Sequence, residues 1–278
     1  MNFCENETVC LYLKDLVLLE DLVSAKQKIQ LFEHHILGYV LVINGEIQHI
    51  QNYQCLYHEI LVHLPISFIE SPKDALVIGG GSLFTAFELL KYPSIETVTL
   101  CDYDPMVLAL MKKYYQHARD VLNDSRFIYI ENDALKYINS CKSKFDIIIN
   151  DCFNLLEVSN TNKLSMFSKM NNLLSSEGVC SDIIYRHIFD GNITHETICE
   201  IKKHSKIVLS LVAVPEYPGV LHINTIWGNN SNLNQFAKET FNLFQKAIFK
   251  ESNDFFEYYN PKNIPYYLYL PPYIHSKL

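Results

Sequence analysis

No cluster of lysine and arginine runs through this sequence: 23 basic residues are scattered among 31 acidic ones, for a formal charge of -8 at pH 7. Neutralising phosphates requires clustered cations, so the composition argues against a non-specific nucleic-acid surface and suits a cationic substrate better. No CxxC pair or other zinc-type spacing joins the eight cysteines, Cys4, Cys10, Cys55, Cys101, Cys141, Cys152, Cys180 and Cys199. They read as reduced thiols, mostly packing residues. No stretch approaches the roughly 20 apolar residues of a membrane-spanning helix, and no cationic and apolar leader opens the sequence. A soluble, cytoplasmic protein without a membrane partner is expected. Internal repeats and low-complexity linkers are absent too.

What is present is apolar patterning of two kinds over 278 residues, 49% of them hydrophobic. Residues 1–68 read as a small β-domain: Ile29 to Phe32, Gly38 to Ile43 and Glu46 to Ile50 are short apolar runs, with the hairpin dipeptide Asn44-Gly45 between the last two. Tyr57 to Leu64 has helical spacing and meets Pro65, which predicts a short connecting helix. From residue 69 to 278 buried strands alternate with helices, the pattern of a parallel sheet covered on both faces. The expected strands are Ala75 to Ile78, Thr97 to Cys101, Phe127 to Glu131, Phe145 to Asn150 and Gly178 to Ile184. Ile207 to Val214 and Val220 to Trp227 read as a closing antiparallel pair.

Ala75-Leu76-Val77-Ile78-Gly79-Gly80-Gly81 is a buried strand running into a glycine turn and then a helix. Missing Cβ atoms there let a ligand approach the backbone at the carboxyl edge of the sheet, although a tight strand-to-helix turn explains a triple glycine as well. The second strand ends in Asp102, placed to accept both hydroxyls of a ribose. The third ends in Asp133, which can accept from an adenine amino group or simply cap the next helix. Ser82, Leu83 and Phe84 follow the glycines where a dinucleotide's pyrophosphate would need GxGxxG. An adenosyl sulfonium compound fits this turn better. Asp151 ends the strand Phe145 to Asn150 on the same edge. It can bind an ammonium, accept its proton and aim the nitrogen at the carbon beside the sulfonium.

In order and spacing, LVIGGG with Glu88 beyond it, YPSIETVTLCDYD, SRFIYIENDALKYI, KFDIIINDC, VPEYPG and FEYYNPKNIPYYLYLP resemble segments of the spermidine synthase (polyamine aminopropyltransferase) family. FEHHILGYVLVINGEIQ and LYHEILVHLP resemble its amino-terminal β-domain and connecting segment. The resemblance covers nearly the whole sequence and implies an α/β protein with a Rossmann-like class I S-adenosylmethionine-dependent transferase fold. It implies that Gln27 and Asp102 hold the ribose, that Asp133 and Ala134 contact the adenine, and that Gly79, Gly80 and Gly81 form the floor. Asp151 matches the catalytic aspartate, and Tyr57, His58 and Tyr217 match residues lining the pocket shared by aminopropyl donor and amine acceptor. Decarboxylated or intact S-adenosylmethionine is the implied co-substrate, with a small-molecule amine acceptor, no metal, and a homo-oligomer, dimer or tetramer.

The pattern is broken at defined places. The family's GGGDGG has Ser82 for its acid and Leu83 and Phe84 for small residues. Its DxxDP reads Asp151-Cys152-Phe153-Asn154-Leu155, so the second, amine-holding acid is Asn154. A glutamine on the following strand is replaced by Ile183, and Gln51-Asn52-Tyr53-Gln54 lacks the usual charges. Each lost carboxylate removes a charge-assisted hydrogen bond of roughly 1.5 to 3 kcal/mol. Three readings follow: a different polyamine acceptor, with Glu59, Asp182 or Glu216 compensating; an intact donor, with transfer of a 3-amino-3-carboxypropyl or methyl group; or a non-catalytic nucleotide-binding homologue.

Overall fold

The computed structural model of the chain describes residues 2–4, 10–152, 160–217, 222–234 and 255–272. Strands β1 (Asn2–Cys4) and β2 (Cys10–Tyr12) form a small antiparallel ribbon. Four further strands, β3 (Val17–Val23), β4 (Lys28–His34), β5 (Gly38–Ile43) and β6 (Glu46–Ile50), form an antiparallel meander in that order. Successive side chains of a strand alternate between faces, and here both faces are used. Ile29, Leu31 and Leu41 join the main core, while Phe32, Val40, Val42, Ile47 and Ile50 make a second, smaller one. Asn44 and Gly45 both have positive φ, 52° and 88°, as the tight two-residue turn between β5 and β6 requires.

Helix α1 (Cys55–Ile66) runs one residue past Pro65, which sits inside its last turn. The proline lacks an N–H and so forgoes one intrahelical bond, and the Ser67 N–H closes the turn on the His63 and Leu64 carbonyls. Every residue from His58 to Ile66 is buried.

The larger sheet is built from β7 (Asp74–Gly79), β8 (Thr97–Asp102), β9 (Phe127–Glu131), β10 (Phe145–Asp151), β11 (Leu174–Arg186), β12 (Lys206–Val212) and β13 (His222–Gly228). Between them lie α2 (Phe84–Leu90), α3 (Pro105–Tyr114), α4 (Gln116–Asn123), α5 (Ala134–Ser140), α6 (Asn160–Leu173) and α7 (His187–His204). The spatial order is β12-β13-β11-β10-β7-β8-β9, with β13 antiparallel to both neighbours and parallel pairing from β11 to β9. Ala75, Val77, Ile147 and Ile149 face one core and Leu76, Ile78 and Ile148 the other, so the central strands are apolar on both sides. From β7 the chain moves outward through β8 and β9, then returns to β10 on the other flank. This Rossmann-like reversal opens a crevice at the carboxyl ends of β7 and β10. Among the described residues no helix is long and apolar enough to cross a membrane.

The meander is tied to this edge by hydrogen bonds. Ser24 Oγ donates to Asp104 Oδ2 at 2.6 Å, Tyr103 OH to Gln27 Oε1 at 2.8 Å, and Tyr114 OH to Glu20 Oε1 at 2.6 Å. His49 Nε2 and Tyr115 OH lie 2.7 Å apart.

Candidate active site

The glycine turn after β7 is left-handed at Gly79 (φ 75°) and Gly80 (φ 73°). A Cβ on Gly79 would stand 2.1 Å from Cys152 Cβ, one on Gly80 3.0 Å from Asp151 Oδ2, and one on Gly81 3.0 Å from Asp102 Oδ2. Acids from the two strands flanking β7 therefore approach the same bare backbone from opposite sides, which only glycine permits. Backbone N–H groups of Asp104, Gly81 and Tyr103 donate to Asp102, while burial pushes its carboxyl above the usual range.

Asp151 is held at both oxygens. Oδ1 accepts from Tyr57 OH of α1 at 2.8 Å and Oδ2 from Thr85 Oγ1 of α2 at 2.6 Å. Each oxygen keeps a lone pair, so the carboxylate is oriented without being used up. Burial, and then the charge of Asp151, raise the Tyr57 hydroxyl well above its ordinary value, and it stays a proton donor. Burial keeps His58 neutral; its Nδ1–H donates to the Gln54 carbonyl at 2.9 Å, which leaves Nε2 as an acceptor.

The remaining candidates divide. Gln27 is buried and reaches Tyr103, the neighbour of Asp102. Asp133 caps α5, its Oδ1 accepting from the Lys136 N–H at 3.0 Å, and Ala134 opens that helix. The cap uses one oxygen of Asp133 and leaves the other for a ligand. The charges of Asp102 and Asp133 both bear on the Cys101 thiol, and those of Asp102 and Asp151 on Cys152. Ser82 offers its carbonyl to His117 Nε2 at 2.9 Å. Tyr217 lies half-buried after β12, its ring 5.6 Å from His222. Asn154 lies outside the described residues.

The Spermine/spermidine synthase domain matches residues 54–238. The chain belongs to the spermine/spermidine synthase family. A polyamine aminopropyltransferase of Buchnera aphidicola subsp. Acyrthosiphon pisum (strain Tuc7) is 30% identical over 254 residues, 90% of this chain and 87% of that protein. Putrescine N-methyltransferase 2 of Nicotiana attenuata is 37% identical over 129 residues, 46% of this chain and 35% of that one. The crystal structure of spermidine synthase from Thermotoga maritima superposes with a TM-score of 0.81 at 24% identity, covering 94% of this chain and 87% of that chain.

Where the family motif has small residues, this member has Leu83 and Phe84. Leu83 takes the left-handed conformation (φ 66°) although fully buried, a strain of roughly 1 to 2 kcal/mol for a residue with a Cβ. Phe84 stacks on His117 with ring centroids 3.8 Å apart and makes edge contacts with His49 and Tyr115. These rings fill the volume beside the turn.

Of the three acids expected to compensate for lost charges, Glu59 does not. It accepts the backbone N–H groups of Glu257, Tyr258 and Tyr259 at 2.7, 2.8 and 2.6 Å, which commits it to anchoring the C-terminal segment. Glu59, His63 and Glu88 bring potential metal ligands within 4.8 Å of one another, a grouping that sequence spacing did not reveal. Those atoms are already engaged. His63 meets Tyr92 OH and Glu88 Oε2, each at 2.8 Å, and Lys91 Nζ is 2.6 Å from the same Oε2. Burial keeps His63 neutral, while His63 and Lys91 hold Glu88 below the usual range although burial pushes it up. The cluster is thus a direct Glu88–Lys91 ion pair with neutral His63 set between Glu88 and Tyr92.

Asp182 and Glu216 are different. Asp182 is fully buried on β11; Oδ1 accepts from Asn150 Nδ2 at 3.2 Å and Oδ2 has no partner. Burial pushes its carboxyl up to about 8. Glu216 accepts the Ile50 N–H at 2.8 Å and is pushed up to about 7 by burial. Both stay protonated where the unfolded chain, with carboxyls near 4, has lost its protons. Between about pH 4 and about pH 8 the native state binds more protons, so stability falls as pH rises. Urea unfolding near pH 5 and near pH 8 checks this, and Asp182→Asn is expected to show a smaller difference between the two than wild type.

Proposed function

We propose that this chain transfers an aminopropyl group from decarboxylated S-adenosylmethionine to an amine acceptor and releases methylthioadenosine. The observation that carries the reading is the Asp151 carboxylate, fixed by Tyr57 and Thr85 over a glycine turn that Asp102 shares. Asp102, with Gln27 from the meander, receives the ribose; Asp133 and Ala134 meet the adenine; Gly79, Gly80, Gly81 and Ser82 floor the donor site. Tyr57, His58 and Tyr217 line the acceptor side. Asp151 takes a proton from the acceptor ammonium, and the freed nitrogen attacks the methylene next to the sulfonium. A C–N bond forms as the C–S bond breaks, and the electron pair leaves on a sulfur that becomes neutral. That leaving group needs no Lewis acid.

In this reading residues 1–68 form the unit that closes over the donor and residues 69–278 the catalytic domain. The exposed apolar side chains of Val17, Leu18 and Val23 on the edge strand of the meander, with Tyr12 on the β1–β2 ribbon, support a homo-oligomer. Free thiols at six described cysteines fit a cytoplasmic setting.

A second reading, methyl or 3-amino-3-carboxypropyl transfer from intact S-adenosylmethionine, draws support from one feature. Ser82 leaves the turn without an acid to repel the donor's carboxylate, and the N-methyltransferase relatives match over the 129 residues quoted above. Calorimetry with the two donors, followed by product analysis, separates the readings. The decarboxylated donor is expected to bind at least about tenfold more tightly and to yield methylthioadenosine. Preference for the intact donor with release of adenosylhomocysteine would install the methyl-transfer reading instead, and no product from either donor would leave a binding protein.

A further inference from the structure

We infer that His63 and Glu88 are positioning residues, whose buried hydrogen bond holds α1 and α2 in the register that puts Tyr57 and Thr85 on the two oxygens of Asp151. This role rests on the transfer reading only for the step it serves. Asp151 ends β10, yet neither group that orients its carboxylate comes from the sheet. Tyr57 stands in the first turn of α1 and Thr85 in the first turn of α2. A base held by donors from two helices is only as well aimed as the helices are placed against each other, and a misplacement of about 1 Å can cost on the order of a hundredfold in rate.

The entry to α2 does not fix that placement. The helix has seven residues, follows Leu83 in the left-handed conformation, and has no side-chain cap at its amino end among the described residues. Apolar packing buries it but is non-directional, whereas a satisfied hydrogen bond between buried groups selects one register. That bond lies one turn beyond Thr85, where Glu88 Oε2 and His63 Nε2 are 2.8 Å apart. Tyr92 OH, 2.8 Å from Nδ1, donates to the other ring nitrogen, so the single N–H of neutral His63 is the one that meets Glu88. Lys91 Nζ, 2.6 Å from the same oxygen, keeps Glu88 a charged acceptor. The His63 side chain is 0% exposed and that of Glu88 2%, so water does not compete for the bond. At the near end His58 lies against Phe84, with ring centroids 5.1 Å apart. The two helices therefore run in the same direction, joined beside Asp151 and again at His63 and Glu88.

The test is a double-mutant cycle in the full chain between His63→Phe and Thr85→Val. His63→Phe keeps a ring among Tyr92, Phe255, Phe256 and Tyr259, removes both hydrogen bonds and leaves Glu88 paired with Lys91. It is expected to lower kcat for methylthioadenosine release roughly tenfold and to change the KM for decarboxylated S-adenosylmethionine by less than about twofold. Because both residues act through Asp151, the double variant should be within about threefold of the slower single one. Effects that multiply, or a wild-type kcat in His63→Phe, overturn the inference. Glu88→Gln retains an oxygen for the His63 N–H and should keep kcat within about threefold of wild type; a loss as large as that of His63→Phe also overturns it. Amide hydrogen exchange without ligand gives a readout independent of turnover. Residues 87–89 of α2 should exchange about tenfold faster in His63→Phe, while residues 147–149 of β10 hold their rate. A wild type that forms no product although the variant shows this change retains the role of the pair and removes the transfer reading. Unchanged exchange in α2 removes the role whatever the turnover. If His63→Phe does not fold, Glu88→Met carries the same comparisons.

Discussion

Asp151→Asn is expected to lower methylthioadenosine release by about a hundred- to ten-thousandfold, the usual contribution of a positioned general base. Donor affinity measured by calorimetry is expected to change by less than about threefold. The split follows from the hydrogen bonds. An amide still offers an oxygen to either Tyr57 or Thr85, so the side chain stays where the two hydroxyls hold it. It cannot take a proton from an ammonium, and its NH2 group presents a donor where the acceptor's own donors must point. The adenosine end rests on Asp102, Asp133 and the glycine turn, none of which depends on the charge at position 151. Undiminished turnover in this variant would move the base elsewhere, and a parallel collapse of donor affinity would make Asp151 a structural support of the turn.

Much of this site was readable because its signals are local. A strand, three glycines and a helix occupy one short run, and each acid stands at the end of an apolar strand whose neighbours announce it. Asn44-Gly45 declared its hairpin for the same reason. Contacts across the chain were not readable. Thr85 reaches Asp151 over 66 residues, and nothing near position 85 names its partner. β3 is not legible in the sequence because its apolar residues do not alternate: Leu19 and Leu22 pack on the main core while Val17, Leu18 and Val23 are exposed. α4 follows α3 after a single extended residue, Tyr115 (φ -114°, ψ 133°), whose hydroxyl meets His49, a break set by a partner 66 residues away and not by any local signal. Asp182 is legible as an acid on an apolar strand, but its complete burial and its unpaired Oδ2 are properties of packing. Glu59 shows the opposite failure: it is close in sequence to Tyr57 and His58, and it points away from the crevice.

That orientation gives the largest expected effect on stability. Glu59→Ala removes the acceptor of three backbone N–H groups, one of them fully buried and two partly so. Each buried donor left unmatched costs about 1 to 3 kcal/mol, so a loss of roughly 3 to 5 kcal/mol is expected, a large share of the 5 to 15 kcal/mol that holds a typical domain together. Glu59→Gln retains an oxygen for part of the set and should fall between. Urea unfolding followed by the fluorescence of Trp227, the single tryptophan and a buried one, measures the loss. Hydrogen exchange at residues 257–259 locates it. The segment keeps other ties, since Lys91 Nζ donates to the Phe255 carbonyl at 3.0 Å and Phe256 lies edge-on to His63. Loss of protection should therefore be greatest at the three freed N–H groups. Among molecules that remain folded, diaminobutane affinity should change little, because Glu59 spends its charge on backbone and none on the crevice. An alanine variant of wild-type stability with weakened diamine binding would return Glu59 to the acceptor site.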